Sequence, residues 1–168
     1  MRSPVTPELR TRRLVLTPLE VTDPPDMVGV LADRELYVFT GDGPPKLDEL
    51  RDRYRVQVAG PSTGDEVWHN WILRLAESGT AVGFVQATIV DRVAELAWLV
   101  GVDWQGEGIA REAVASMRSW LEVCGVERLI AHIHPEHAVS GRVAAAIGLR
   151  PTEEVDVDGE VVWLACTS

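Results

Sequence analysis

The sequence predicts an α/β fold of the α+β kind: a mixed, mostly antiparallel sheet with helices set between its strands. Three observations carry this. From Val67 to Val102 apolar residues recur at every second position, in three runs divided by turn residues, which reads as an antiparallel meander. A helical pattern from Ala110 to Val123 then separates the meander from a short apolar run, Arg128 to Ile133, so these strands lie parallel through a crossover. Asp158-Gly159 stands between two extended runs near the end, a hairpin signal.

The elements follow in order. Arg12 to Leu19 alternates, with Leu14 and Leu16 on one face, and Pro18 ends it; this is the first strand. Thr22 or Asp23 can cap a short helix over Asp26 to Leu31, with Pro24 and Pro25 near its first turn. Gly41 to Pro45 is a loop by composition. Lys46 to Val58 is a second helix, since Leu47, Leu50, Tyr54 and Val58 recur at threes and fours. The meander strands are Trp68 to Leu75, Val82 to Val90 and Val93 to Val102, turned at Glu77 to Thr80 and at Asp91-Arg92. After the crossover, His137 to Ile147 is a helix stopped by Gly148. Glu154 to Val157 and Val161 to Ala165 form the closing hairpin. No repeat, low-complexity tract or linker interrupts the 168 residues, so one domain over 1–168 is expected.

The stretch Gln105-Gly106-Glu107-Gly108-Ile109-Ala110 joins a meander strand to a helix. Its glycines permit a tight turn with exposed N–H groups, and the helix start adds unpaired donors and partial positive charge. That is an anion cradle, suited to a phosphate or pyrophosphate. A Walker loop is excluded, because the chain's only lysine is Lys46. A dinucleotide fingerprint fits poorly, because Arg111 stands where a third small residue is needed.

Composition bounds the partners. Acidic residues number 26 against 16 basic ones, a net charge of −10, which argues against nucleic acid. The acidity mildly favours a cationic acceptor and serves solubility equally well. No apolar run is long enough to span a bilayer, and Met1 to Arg13 has arginines but no apolar core of a signal peptide. No membrane partner and a cytoplasmic location are therefore expected. Cys124 and Cys166 have no metal spacing and read as reduced, buried or half-buried thiols.

The Gln105–Ala110 hexapeptide resembles the Gln/Arg-x-x-Gly-x-Gly/Ala signature of the GCN5-related N-acetyltransferases (GNAT). A second motif, His137-Ala138-Val139-Ser140-Gly141-Arg142-Val143 through Gly148-Leu149, resembles the Asn-x-x-Ser-x-Arg-Val segment of the RimJ/RimL-like, ribosomal-protein alanine N-acetyltransferase branch. Arg10 to Leu16 is similar to that branch's opening strand. The resemblance implies the acyl-coenzyme A N-acyltransferase fold, with a splayed parallel strand pair and helices on both faces. It implies transfer of an acetyl group from acetyl-CoA to a primary amine, by direct attack on the thioester. The acceptor class stays open: a protein N-terminus, a polyamine, an aminoglycoside or another small amine.

The resemblance also assigns residues. Gln105, Gly106, Glu107, Gly108, Ile109 and Ala110 would hold the pyrophosphate. Trp98, Leu99 and Val100 would offer backbone to the pantetheine arm. Ser140 and Arg142 would lie near the arm or the adenosine phosphate. His137 replaces the usual capping Asn, and Ala144 replaces a frequent tyrosine acid.

Glu95 is the first candidate base, because it begins the strand that would meet the cofactor. His134 is the second and His69 a more remote third. Tyr37 and Tyr54 read as walls of an acceptor site. His132, His134 and His137 make a zinc site conceivable, but flanking and capping roles fit them better, so no metal is expected. Trp98, Trp104 and Trp120 are expected around the cofactor strand and its helix. The departures at His137 and Ala144 motivate one alternative, an acyl-CoA-binding module with weak or no transfer. An exposed edge on the terminal hairpin makes a homodimer plausible.

Overall fold

The computed structural model describes residues 5–167. Met1–Pro4, the start of the segment tested above for a leader, and Ser168 lie outside the described residues. Eight strands form one sheet in the order β1-β2-β3-β4-β5-β6-β8-β7. They are β1 (Leu9–Arg10), β2 (Leu14–Pro18), β3 (Val67–Leu75), β4 (Ala81–Val90), β5 (Val93–Val100), β6 (Arg128–Ile133), β7 (Arg150–Val155) and β8 (Val161–Cys166). Every neighbouring pair is antiparallel except β5 and β6. The helices are α1 (Pro24–Met27), α2 (Leu47–Ala59), α3 (Ile109–Val123) and α4 (Ala138–Ala146). Short 3₁₀ turns occupy Arg34–Tyr37 and Val102–Trp104.

The meander forms for local reasons. Asp91 and Arg92 both take positive φ, 48° and 64°, closing a two-residue turn whose twist matches the strands, with Val90 opposite Val93. α3 buries Ile109, Ala113, Val114, Met117 and Leu121 on one stripe. Each fully buried Met or Leu there is worth roughly 1.5–3 kcal/mol.

The sheet is covered on both faces. On one, α3 and α4 pack over a core containing Leu14, Trp71, Leu73, Val85, Leu96 and Leu129. On the other, α1 and α2 bury Met27, Leu31, Leu50 and Tyr54 against Ile72, Phe84 and Leu99. β3 shows the split directly: Trp71 and Leu73 serve the first core and Ile72 the second.

Three expectations change. α1 begins at Pro24 and ends at Met27, because two prolines preset its first turn; Val30 and Leu31 follow it as buried turn residues. The closing hairpin begins earlier and turns more widely than Asp158-Gly159 alone suggests. Its loop is organised by Asp156, whose Oδ1 accepts from the N–H groups of Asp158 (2.8 Å) and Glu160 (2.9 Å). Both cysteines are exposed free thiols rather than buried ones. Among the described residues no helix is long and apolar enough to cross a membrane.

Candidate active site

β5 and β6 share three parallel rungs: Val93–Arg128, Ala94–Leu129 and Glu95–Ile130. Beyond the third the strands part. β6 continues beside β8 as far as Ile133, and β5 continues beside β4 as far as Val100. The main-chain groups of Leu96–Val100 that face β6 therefore have no strand partner. Trp98, Leu99 and Val100 lie in this unpaired half. Gly83 lets β4 approach closely here, since a Cβ on it would stand 2.1 Å from the Leu99 carbonyl oxygen.

β5 leads directly into the glycine loop. Gly106 (φ 81°) and Gly108 (φ 79°) hold left-handed conformations that residues with a Cβ avoid. Ile109 and Ala110 open α3, so their N–H groups have no intrahelical acceptor and the helix dipole is positive there. The Gln105 amide Nε2 donates to Val100 O (2.9 Å), tying the loop to the end of β5.

Arg13 braces the loop's other side. Its Nη1 donates to Glu107 O and its Nε to Glu112 Oε1, both at 2.8 Å. Thr11 Oγ1 donates to the same Glu112 carboxylate at 2.5 Å. These bonds with Thr11 and Arg13 hold the Glu112 carboxyl below its ordinary range despite the cost of burial. No described atom comes within 4 Å of the point where a Gly106 Cβ would stand, so the loop's front is open. Donor N–H groups, a positive helix end and an arginine beside them fit a diphosphate.

Glu95 is the third residue of β5 and sits on the last shared rung. Its Oε1 lies 3.5 Å from Nε2 of His132. Nδ1 of the same imidazole lies 2.7 Å from Asp156 Oδ2. His132 thus stands between two carboxylates. The Glu160 N–H, with His132 and the Asp158 N–H, keeps the Asp156 carboxyl below the usual carboxylate range. Sequence spacing alone did not find this triad, because Asp156 reaches His132 only through the hairpin.

The other histidines go elsewhere. His134, one residue past β6, accepts from the Glu136 N–H (3.1 Å) and packs on Phe39 at a 5.0 Å ring separation. Phe39 also stacks on His137 at 4.6 Å. His137 caps α4: its Nδ1 accepts from the Ser140 N–H (3.4 Å) and its Nε2 faces Ser140 Oγ (3.0 Å). Burial, with His134 nearby, pushes its pKa down, so it caps as the neutral imidazole. His134, His137 and Arg142 share the wall of a cavity of about 500 Å³ with Trp163.

His132 thus faces Glu95 and Asp156, while His134 and His137 both pack on Phe39. Among the described residues the group of candidate ligands within reach of one ion is Asp156, Asp158 and Glu160, with no histidine.

His69 is buried on the α3 side of the sheet, edge-on to Trp120 at 4.8 Å, so it is no base for this cleft. Tyr37 donates to Leu31 O at 2.6 Å, and burial raises its pKa. Tyr54, on the inner side of α2, is buried, which raises its pKa strongly. Of the two, Tyr54 lines a cavity. This second cavity, of about 190 Å³, lies between α2 and the sheet, with Arg53, Gln57, Asn70 and Gln86 also in its wall.

Several solved structures with this architecture are described as acetyltransferases. A GNAT-family acetyltransferase from Bacillus anthracis superposes with a TM-score of 0.82 at 17% identity, covering 95% of this chain and 98% of that one. An acetyltransferase from Agrobacterium tumefaciens gives 0.77 at 25% identity, over 96% and 95% of the two chains. An aminoglycoside acetyltransferase in complex with coenzyme A gives 0.75 at 15%, over 91% and 94%. No curated protein matches the chain in sequence. The fold is thus that of the acyl-coenzyme A N-acyltransferases. The family model described as "Acetyltransferase (GNAT) domain" matches residues 13–150, and the chain belongs to that family. It is an N-acetyltransferase, and enzymes of this family move an acetyl group from acetyl-CoA to an amine.

Proposed function

We propose that this enzyme is of the RimJ/RimL-like kind and acts as one domain on a primary amine. The reading rests on one observation: β5 and β6 part at Glu95–Ile130, and the freed half of β5 leads straight to an open glycine loop. Bound acetyl-CoA supplies an activated acetyl thioester. Gln105 through Ala110 grip its diphosphate, and the unpaired main chain of Trp98, Leu99 and Val100 receives its arm as an added strand. Ser140 and Arg142 approach it from α4. The two free thiols, Cys124 and Cys166, suit a reducing, cytoplasmic setting. A second copy of the chain would add along the β7 edge.

Glu95 is the base in this reading. It takes the proton that the amine sheds as its nitrogen bonds the acetyl carbon and the carbon–sulfur bond breaks. His132 and Asp156 orient the Glu95 carboxylate and pass that proton towards solvent. His134 is given no proton-transfer role, because its Nδ1 is engaged by Glu136. With Ala144 in place of a tyrosine, water protonates the departing thiolate. A thiol's ordinary pKa near 8.5 makes this a modest demand. Positioning of amine and thioester supplies much of the remaining acceleration.

Calorimetry with acetyl-CoA, followed by thiol release over an amine panel, tests the reading. Binding with transfer supports it. Binding without transfer to any amine favours the acyl-CoA-binding module, and no binding overturns both.

A further inference from the structure

The layer of α1 and α2 packs on β3, β4 and β5, through Ile72, Phe84 and Leu99. Among the described residues that core holds no member of β6, α4 or the closing hairpin. Phe39 crosses the gap. It stands in the connection from the 3₁₀ turn Arg34–Tyr37 to α2. Its ring stacks on His137 at 4.6 Å, with 22° between the planes, and tilts on His134 at 5.0 Å. Both separations fall in the roughly 4.5–7 Å range of favourable aromatic pairs. His134 comes two residues after His132, the neighbour of Glu95, so along an extended chain it lies about 6–7 Å from that site.

The turn that carries the ring has a fixed base. The Tyr37 hydroxyl donates to Leu31 O at 2.6 Å, and Leu31 is buried in the α1–α2 core. The N–H groups of Thr40 and Gly41 both donate to Tyr37 O, at 3.2 and 3.1 Å, so Phe39 sits in a closed turn. Gly41 takes φ 75°, which lets the chain leave that turn at once. Val38 and Thr40 are exposed, while Phe39 between them is half-buried. His137 makes the contact possible. Its Nδ1 caps α4 while its ring face receives Phe39. Asparagine, the residue that the resemblance puts at this position, would cap as well and offer no ring.

Resting on the proposed transferase reading, we infer that Phe39 is a positioning residue: it latches the α1–α2 connection across the fork, onto the freed end of β6 and the start of α4, and keeps water from the acetyl thioester. The reaction it suppresses is hydrolysis. There a water oxygen bonds the acetyl carbon and the carbon–sulfur bond breaks. Acetate and the coenzyme thiol leave, one proton of the water going to the thiolate and the other to solvent. An aromatic pair shifts a closed-to-open ratio by about two- to ten-fold, enough to favour closure and little enough to open at each turnover.

The test is thiol release from saturating acetyl-CoA with no amine present. It runs on the wild type, Phe39→Ala, Phe39→Tyr, His137→Asn and the double variant Phe39→Ala with His137→Asn, and calorimetry gives the acetyl-CoA affinity of each. His137→Asn keeps the cap and loses one ring contact, so its hydrolysis should rise about two- to ten-fold. Phe39→Ala loses both contacts and should rise at least as far. Phe39→Tyr keeps the ring and should stay within about two-fold of the wild type. The double variant should match Phe39→Ala, because the two changes remove the same contact and their effects do not multiply. A residue that served only the fold would lower Tm when removed and leave hydrolysis per bound coenzyme unchanged. That result overturns the inference, as do equal rates in Phe39→Ala and Phe39→Tyr, a wild-type rate in His137→Asn, or multiplied effects in the double variant. Calorimetry keeps the two readings apart. If the wild type does not bind acetyl-CoA, the transferase reading falls too; if it binds and hydrolysis ignores Phe39, only this inference falls.

Discussion

Glu95 Oε1 lies 3.5 Å from Nε2 of His132, on the last rung before β5 and β6 part. The far nitrogen of that imidazole faces Asp156 at 2.7 Å. A carboxylate at the fork of the sheet is therefore held by a second carboxylate through a histidine. The arrangement predicts distinct outcomes for its members.

Glu95→Gln should lower kcat by about 10²-fold or more, the usual contribution of a general base. Its affinity for acetyl-CoA should stay within two-fold of wild type. Asp156→Asn should lower kcat less and alter the pH–rate profile, because it disturbs the orientation of His132 and leaves Glu95 in place. An unaltered profile would leave Asp156 as a loop residue only.

The glycine loop depends on backbone conformation. A valine at 108 must adopt φ near 79°, which costs roughly 1–2 kcal/mol, and its Cβ approaches the Arg13 guanidinium at 3.5 Å. Gly108→Val should weaken acetyl-CoA binding at least ten-fold by calorimetry. Arg13→Ala should weaken it less, by freeing Glu107 and Glu112.

Gly83→Ala puts a Cβ against the Leu99 carbonyl, and backbone there cannot yield without separating β4 from β5. Overpacking of this kind costs about 1–3 kcal/mol. A fall in Tm of several degrees is expected, and acetyl-CoA should recover less of it than in the wild type.

Histidines 69 and 137 both have depressed pKa values, caused first by burial. At these two positions the unfolded chain therefore binds more protons than the folded one as pH falls below about 6.5, so their contribution to stability is lost with acidity there. Urea midpoints measured from pH 8 to 5 should show this slope. His69→Gln should reduce it, while His137→Asn, which keeps the α4 cap, should reduce it without the roughly 0.5–2 kcal/mol cost expected of His137→Ala.

Much of the fold was legible in the sequence. Period-two runs gave three meander strands, and the strand over 128–133 is where the pattern put it. The glycine loop was legible because φ preference and helix termini act within a few residues. The α1 and hairpin limits were not, because prolines and an aspartate-built turn overrode the simpler signals. Phe39 carried no signal at all, since an aromatic residue in a loop looks the same wherever its ring lands.

The order of residues by itself determined which stretches become strand, turn and helix, and so the glycine turn at Gln105–Ala110 that opens α3. Only the tertiary structure decided which side chains meet. It brought Asp156 to His132 and His132 to Glu95, turned His69 to the α3 side of the sheet and laid Phe39 on His137. The reason is range. Backbone preference and periodicity act between neighbours in the chain, whereas a shared proton or a stacked ring depends on the packing of strands and helices far apart in it.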